Sequence, residues 1–220
     1  MTIEITASPT ELTTAATNLP LGLVALAASI SFYRLRGRNP WKARVWMAVS
    51  VSFLVVNILA AGAHGLKLAE PAHFVVWTLI FLGLGMMIAA VTLGAILDLW
   101  GERASRRMAP VMAVVASLFV LAMRASGQFL VFIGYEALFV GFALVVYGYL
   151  AVTRRLAGAG LLWAGLLVSL LAALVQTTGA QVTIIWTFDY NGLYHLLQLP
   201  GLILMVFGVV MALRADPQPD

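Results

Sequence analysis

The chain has 220 residues, of which 62% are hydrophobic and 10% charged, and its mean hydropathy is +0.99. A soluble domain has about a quarter of its residues charged, so this composition excludes a soluble globule and indicates an integral membrane protein. The net charge of +4 comes from short basic clusters between apolar runs, which are typical of membrane loops. The charge therefore gives no reason to expect a nucleic-acid partner. The chain has no cysteine, which excludes disulfides and thiolate metal sites.

Seven segments are apolar enough, and most are long enough, to cross a bilayer, which takes about 20 residues of helix. In chain order, we predict spans at residues 9–34, 41–63, 73–97, 108–123, 128–150, 156–177 and 191–213. The first span begins with a Ser-Pro-Thr-Glu sequence at residues 8–11, which has the spacing of a capping box. Because every connection is short, residues 1–220 are predicted to form one all-α domain, an integral membrane bundle of seven transmembrane helices.

Basic residues are distributed unevenly between the two sides of this bundle. Of the 13 lysines and arginines, only Lys67 and Arg124 fall on the side where the first span begins. Since basic residues accumulate in cytoplasmic loops, we predict that the N-terminus is outside and the C-terminus cytoplasmic. On the cytoplasmic side, Asp98 and Glu102 lie close in sequence to the arginines of residues 103–107, and we expect these groups to form a solvated charge cluster.

The three histidines are predicted at similar depth near the outer face. His64 ends the second span, His73 begins the third and His195 lies near the start of the seventh. Zinc sites are commonly built from neutral imidazoles, and catalytic zinc sites use three protein ligands and a water, so the three histidines are candidate zinc ligands. A metal site of His64 and His195 with carboxylate help is an alternative. A purely structural role, in which the histidines cap or cross-link helices, is the simplest interpretation.

Polar residues accompany two of the histidines along their spans. Asn57 lies seven residues before His64, while Asn191 and Gln198 share a helical face with His195. Polar stripes are costly against lipid, so both should face the bundle interior as supporting polar groups.

Three carboxylates are candidate catalytic groups near this face. Glu70 and Asp189 lie in outer loops, and Glu136 lies about nine residues into the fifth span. A carboxyl at that depth must be protonated or paired, and its candidate partners are Arg124 and the histidines. The alternatives for Glu136 are a structural ion pair and a role as acid, base or proton relay.

This layout resembles the CREST superfamily, which includes alkaline ceramidases, adiponectin receptors and hemolysin-III-type proteins. In that family a histidine ends the second helix and a His-x-x-x-His pair begins the seventh, where His64 and His195 stand in this chain, with Ala60 and Asn191 at two further motif positions. The resemblance implies a zinc site and hydrolysis of lipid amides. Residues 188–195 also resemble a signature of uncharacterised bacterial seven-span proteins.

Together these features predict a metal-dependent, lipid-hydrolase-like protein of the bacterial inner membrane, with membrane lipids as partners. The alternative is a non-enzymatic accessory subunit of a larger membrane complex, or a scaffold that binds lipid or pigment. A haem protein with His64 and His195 as axial ligands is a third possibility. The seventh span has no lysine, which excludes a retinal Schiff base.

Overall fold

The computed structural model describes residues 4–216, so the outermost residues of the predicted 1–220 domain, 1–3 and 217–220, lie outside the described part. Within residues 4–216 there are seven helices, all long and apolar enough to cross a membrane, which confirms an all-α, multi-pass membrane protein. The helices are α1 (Pro9–Arg34), α2 (Pro40–Gly65), α3 (Glu70–Trp100), α4 (Glu102–Ser126), α5 (Phe129–Val152), α6 (Ala159–Gln176) and α7 (Tyr190–Ala215). A short antiparallel hairpin, β1 (Val182–Thr183) and β2 (Thr187–Phe188), connects α6 to α7.

Side-chain caps determine where three of the helices begin. Ser8, Asn39 and Asp189 each accept a hydrogen bond from a backbone N–H in the first turn, of α1, α2 and α7 respectively. Helix α4 begins at Glu102, well before the predicted residue 108. Its first turns are polar, and there Arg106 Nε donates to Glu102 Oε1 over 2.6 Å. This i,i+4 pair stabilises the helical turns that precede the apolar segment.

Among the described helices, six form a ring and α4 lies outside it. Helix α1 packs against α2 and α7, α2 against α3, α3 against α5, α5 against α6, and α6 against α7, which closes the ring. Helix α4 packs on the outer side of α3 and α5, and its first turns also contact α2, where Trp41 Nε1 donates to Ser105 Oγ over 3.1 Å. The interior that could hold a site is therefore enclosed by α1, α2, α3, α5, α6 and α7.

Glycines allow α6 and α7 to approach closely. A Cβ atom added to Gly165 of α6 would lie 2.5 Å from the carbonyl oxygen of Gly201 and 3.0 Å from the backbone nitrogen of Met205, both on α7. These are backbone atoms that cannot rotate away, so only glycine fits at this crossing. The contact fixes α7, and with it His195, relative to the rest of the ring.

The two ends of the bundle differ in their polar groups. We call the end where α1 begins the histidine end, because His64 and His195 lie there, and the opposite end, where α1 finishes, the basic end. At the basic end, Lys42 Nζ lies 3.1 Å from Asp98 Oδ1 and 2.9 Å from Asp216 Oδ2. The Tyr147 hydroxyl donates to Asp98 Oδ2 over 3.1 Å.

The expectation that Asp98 belongs to a solvated charge cluster was wrong. Its side chain is only 2% exposed and pairs with Lys42, which is itself 6% exposed, instead of with the arginines of residues 103–107. Asp98 lies one helical turn before the polar start of α4 and faces the interior, whereas Glu102 forms the expected exposed pair with Arg106. Buried ions require close partners, and Lys42 provides one.

Candidate functional site: a polar cavity at the histidine end

A cavity of about 630 Å³ lies inside the ring at the histidine end, and we call it the histidine-end cavity. All six ring helices contribute to its lining, and much of the wall is aromatic or aliphatic. Its polar lining side chains are Asn18, Asn57, His64, Gln176, Thr177, Tyr190, Asn191, Tyr194, His195 and Gln198. Two of the three histidines thus reach one shared space from helices α2 and α7.

The His195 ring is held by a threonine of α1. Its Nδ1 atom lies 2.9 Å from Thr17 Oγ1, and that hydroxyl donates its proton to the carbonyl oxygen of Thr14 over 2.9 Å. Because a hydroxyl has one proton, Thr17 Oγ1 must accept from an Nδ1–H of His195. This network assigns the tautomer in which the neutral ring keeps an unprotonated Nε2.

The His64 ring, like that of His195, is held by a side chain of α1, in this case a carboxylate. Its Nδ1 atom lies 2.7 Å from Glu11 Oε2, and an ionised carboxylate only accepts hydrogen bonds, so Nδ1 again carries the proton. The ring also meets the Trp77 ring edge-on, with the centroids 5.6 Å apart. Helix α1 therefore fixes both imidazoles through Nδ1. Neither Nε2 atom has a hydrogen-bond partner within the described residues.

Side-chain amides fill much of the remaining polar wall. Gln176 Nε2 donates to Asn191 Oδ1 over 2.9 Å, and Gln198 Nε2 donates to the Tyr194 hydroxyl over 2.7 Å. Asn57 donates to the backbone carbonyl of its own helix at residue 53. The predicted supporting residues Asn57, Asn191 and Gln198 therefore all line the cavity. They present neutral hydrogen-bonding groups.

The other predicted site residues lie elsewhere. His73 is exposed on α3, with its ring centroid 6.1 Å from that of Trp77, and Glu70 is exposed at the start of the same helix. Asp189 caps α7 and accepts a hydrogen bond from Thr14 Oγ1 over 2.8 Å. Arg124 places its guanidinium 3.7 Å from the centre of the Phe74 ring. None of these four is among the residues that line the histidine-end cavity.

Glu136 lines a second, smaller space that we call the inner cavity, of about 70 Å³, deeper in the ring. The two cavities share Phe53 and Gln198 as lining residues. The Glu136 side chain forms no ion pair with Arg124 and no hydrogen bond to any residue that the structure describes. The structure therefore keeps Glu136 apart from both histidine hydrogen-bond networks, although it lies in an adjoining space.

The histidines and carboxylates do not assemble into a complete metal site. Over residues 4–216, no group of three or more His, Asp or Glu side chains is arranged to hold a metal ion. A catalytic zinc ion needs about three protein ligands, and the cavity lining offers two imidazoles with free Nε2 atoms. The donors present do not fit such a zinc ion.

The contribution of α1 was absent from the sequence analysis. Glu11, Thr14 and Asn18 follow one another at i, i+3 and i+7, the same kind of polar stripe that identified the interior faces of α2 and α7. This spacing could have placed α1 against the site. Thr17, which binds His195, lies beside that stripe.

The sequence of this chain matches a family profile over nearly its whole length. The chain belongs to DUF6962, a family of unknown function, whose profile matches residues 13–214. No curated protein and no solved structure matches the chain. The resemblance to the CREST superfamily gains no support from this match.

Proposed function

We propose that this member of a family of unknown function is an intramembrane binding protein for a neutral amphiphile, whose polar group contacts His64 and His195. One observation carries the proposal. Two imidazoles from different helices line one cavity, and α1 holds both through Nδ1, so that each Nε2 remains available to a ligand.

The size and lining of the histidine-end cavity support a small-molecule ligand. Its volume of about 630 Å³ falls within the range of ligand pockets, about 300–1,000 Å³. Such pockets combine apolar walls with a few convergent polar groups. Here the polar groups include the two histidines, while Ile80, Leu84 and Ile133 supply apolar wall. An amphiphile matches both parts.

The hydrogen-bonding character of the lining indicates the kind of polar group. A neutral imidazole with its proton on Nδ1 accepts a hydrogen bond at Nε2, so the ligand must donate. Amide side chains at Gln176, Asn191 and Gln198 complement neutral donors and acceptors. No Lys or Arg is among the residues that line this cavity, so an anionic group would lack a countercharge. We therefore propose a ligand with an amide N–H or a hydroxyl group on a long apolar chain.

The distribution of basic residues supports an orientation for this site. Arg34, Lys42, Arg103 and most other basic residues are at the basic end, which we propose is cytoplasmic. The histidine end then faces the outside of what we propose is a bacterial inner membrane. A ligand from the outer leaflet would meet the cavity at the depth of its own polar group.

Binding of a defined probe tests the proposal. N-oleoylethanolamine carries a neutral amide and a hydroxyl, and oleate has the same chain with an anionic group. A ligand at one hundred times its Kd stabilises the folded protein by about 2.7 kcal/mol, which thermal unfolding in nanodiscs detects. We expect the neutral probe to stabilise the natural protein and His73→Ala, and to lose this effect in His64→Ala and His195→Ala. Equal shifts in all four proteins, or none in the natural protein, would contradict the proposal.

Zinc-dependent lipid hydrolysis is the second candidate, favoured by one observation. Histidine zinc ligands are usually held through their other ring nitrogen, as Glu11 holds His64 and Thr17 holds His195. A third ligand is missing from the described residues, so binding without hydrolysis is our conclusion. Stoichiometric zinc that disappears in His195→Ala, together with release of oleate from N-oleoylethanolamine, would reverse it. Co-purification with other membrane subunits would favour the accessory role instead.

A further inference from the structure

Glu136 is a buried carboxyl for which the surrounding protein provides no partner. Its exposed fraction is 6%, and it forms neither a hydrogen bond nor an ion pair with another described residue. It lies well inside α5, about two turns from the start of that helix. A carboxyl at this depth needs a proton, a cation or water, because hydrocarbon offers no hydrogen bonds.

The inner cavity next to Glu136 is mostly apolar, but it has room for water and a few polar side chains that can bind it. A buried water needs about 10–15 Å³ of such space, so about 70 Å³ holds roughly five molecules. A cavity that binds benzene measures about 150 Å³, so an organic ring does not fit. Side chains of Ser50, Ser169 and Gln198 line the cavity with Glu136 and provide the polar partners that buried water requires.

Polar groups continue from the inner cavity toward the histidine end. Gln198 lines both cavities, and its Nε2 donates to the Tyr194 hydroxyl, which faces the histidine-end cavity. On the opposite side, the inner cavity is bounded by Phe32 and Trp46, each 2% exposed. Beyond Trp46 lies the fully buried Tyr147 ring, with the centroids 6.5 Å apart. The polar lining of the inner cavity therefore continues toward the histidine end, whereas two aromatic rings separate the cavity from the basic end.

We propose that Glu136 is a proton-binding site that water reaches only from the histidine end. A proton from the aqueous phase at the histidine end is relayed through the water of the inner cavity to a carboxylate oxygen of Glu136, so that each water molecule that gives up a proton receives another, and the proton returns by the same path. Within the described residues that line this cavity, Glu136 is the one Asp, Glu, Lys, Arg or His side chain, and the nearest other titratable group along the route is the phenol of Tyr194. The proposal rests on the two cavities and does not depend on amphiphile binding.

Single cysteines test the water route directly, because the natural chain contains none. Ser169→Cys places a thiol in the inner cavity, and Ser117→Cys places one on the exposed, outer side of α4 as a matched control. Thr178→Cys and Thr153→Cys mark the histidine end and the basic end, where both residues are exposed. Silver ions are added to one side of sealed vesicles, and the remaining thiols are then counted with a maleimide after denaturation.

The expected result is that Ser169→Cys reacts about tenfold faster than Ser117→Cys, because thiols surrounded by lipid meet no aqueous ion. It should react from the side that modifies Thr178→Cys. A rate equal to that of Ser117→Cys, or reaction from the side of Thr153→Cys, would overturn the proposal.

Infrared spectroscopy tests the proton itself. In the natural protein, transfer from H₂O to D₂O should shift a carboxyl C=O band, since the proton on Glu136 exchanges through the cavity. The same band should be missing in Glu136→Gln, whose amide is similar in shape. A band that stays unchanged in D₂O, or a shift that persists in Glu136→Gln, would contradict proton binding at this residue. Either result leaves the histidine experiments with N-oleoylethanolamine unaffected.

Discussion

The Nδ1 atom of His64 lies 2.7 Å from Oε2 of Glu11, so a residue in the first turn of α1 determines the orientation of a ring on α2. Thr17 acts in the same way on His195 of α7. The first helix thus joins the two helices that carry the cavity histidines. Orientation by a neighbouring group matters because a ring that rotates freely loses much of its directional hydrogen bonding.

Glu11→Ala should weaken binding of the amphiphile without unfolding the protein. The Glu11 side chain is 40% exposed, so its pair with His64 should contribute only about 1 kcal/mol or less to stability. Without Glu11, the His64 ring can rotate and its proton is no longer held on Nδ1. We therefore expect the affinity for N-oleoylethanolamine to fall several-fold, by about 1 kcal/mol. Titration in nanodiscs measures the affinity. Glu4→Ala, which removes an exposed carboxylate paired with Lys67, is the control and should leave it unchanged.

Lys42→Met should destabilise the protein strongly. It leaves Asp98, 2% exposed, without its cation, and breaking a buried pair by removing one partner costs about 3–5 kcal/mol. Lys67→Met breaks an exposed pair with Glu4 and should cost about 1 kcal/mol or less. Unfolding in one detergent compares the two variants. Lys42→Met with Asp98→Asn should recover part of the loss, and the absence of any recovery would show that the charge of Asp98 is not responsible.

Gly165→Ala should loosen the contact between α6 and α7. The added methyl would meet the Gly201 carbonyl at 2.5 Å, and overpacking of this kind costs about 1–3 kcal/mol. Gly160 lies on the same helix with open space around it, so Gly160→Ala should be neutral or stabilise by up to about 1 kcal/mol. Thermal unfolding distinguishes the pair. If both variants unfold at the temperature of the natural protein, the α6–α7 crossing is not as tight as described.

The orientation can be measured with the same end markers. In intact cells, an impermeant maleimide should label Thr178→Cys, at the histidine end, and leave Thr153→Cys unlabelled until the membrane is opened. The reason is the concentration of basic residues at the end that carries Thr153. The reverse pattern would place the cavity histidines on the cytoplasmic side. It would leave the internal geometry of the site intact.

The sequence predicts where the helices lie in the chain better than it predicts which helices pack against one another. Seven apolar runs identify seven spans, because the bilayer imposes a length and an apolar composition on each. Helix packing is harder to predict, since lipid and bundle interior are both apolar and an apolar helix shows no preferred face. Polar stripes are the exception, and they correctly directed Asn57 and Gln198 into the bundle.

The parts of the site that could not be predicted are pairings between distant segments. Glu11 meets His64, and Lys42 meets Asp98, because of where helices pack in three dimensions. Lys42 lies at a helix start, where a lysine is usually solvated, but Asp98 of α3 and Asp216 at the C-terminal end of α7 enclose it. Periodicity within one helix carries no information about such partners.

The position of α4 outside the ring explains how the chain is organised as a whole. Helices α1, α2 and α3 alternate in direction, and α5, α6 and α7 repeat the same alternation from the same end. The two triplets meet along two seams, α3 with α5 and α1 with α7, and the helices at each seam run parallel. After three membrane crossings the chain is at the basic end. A second triplet that also begins at the histidine end therefore requires one extra crossing to bring the chain back. Helix α4 provides that extra crossing. It allows the two triplets, which have the same orientation, to face each other across a shared interior.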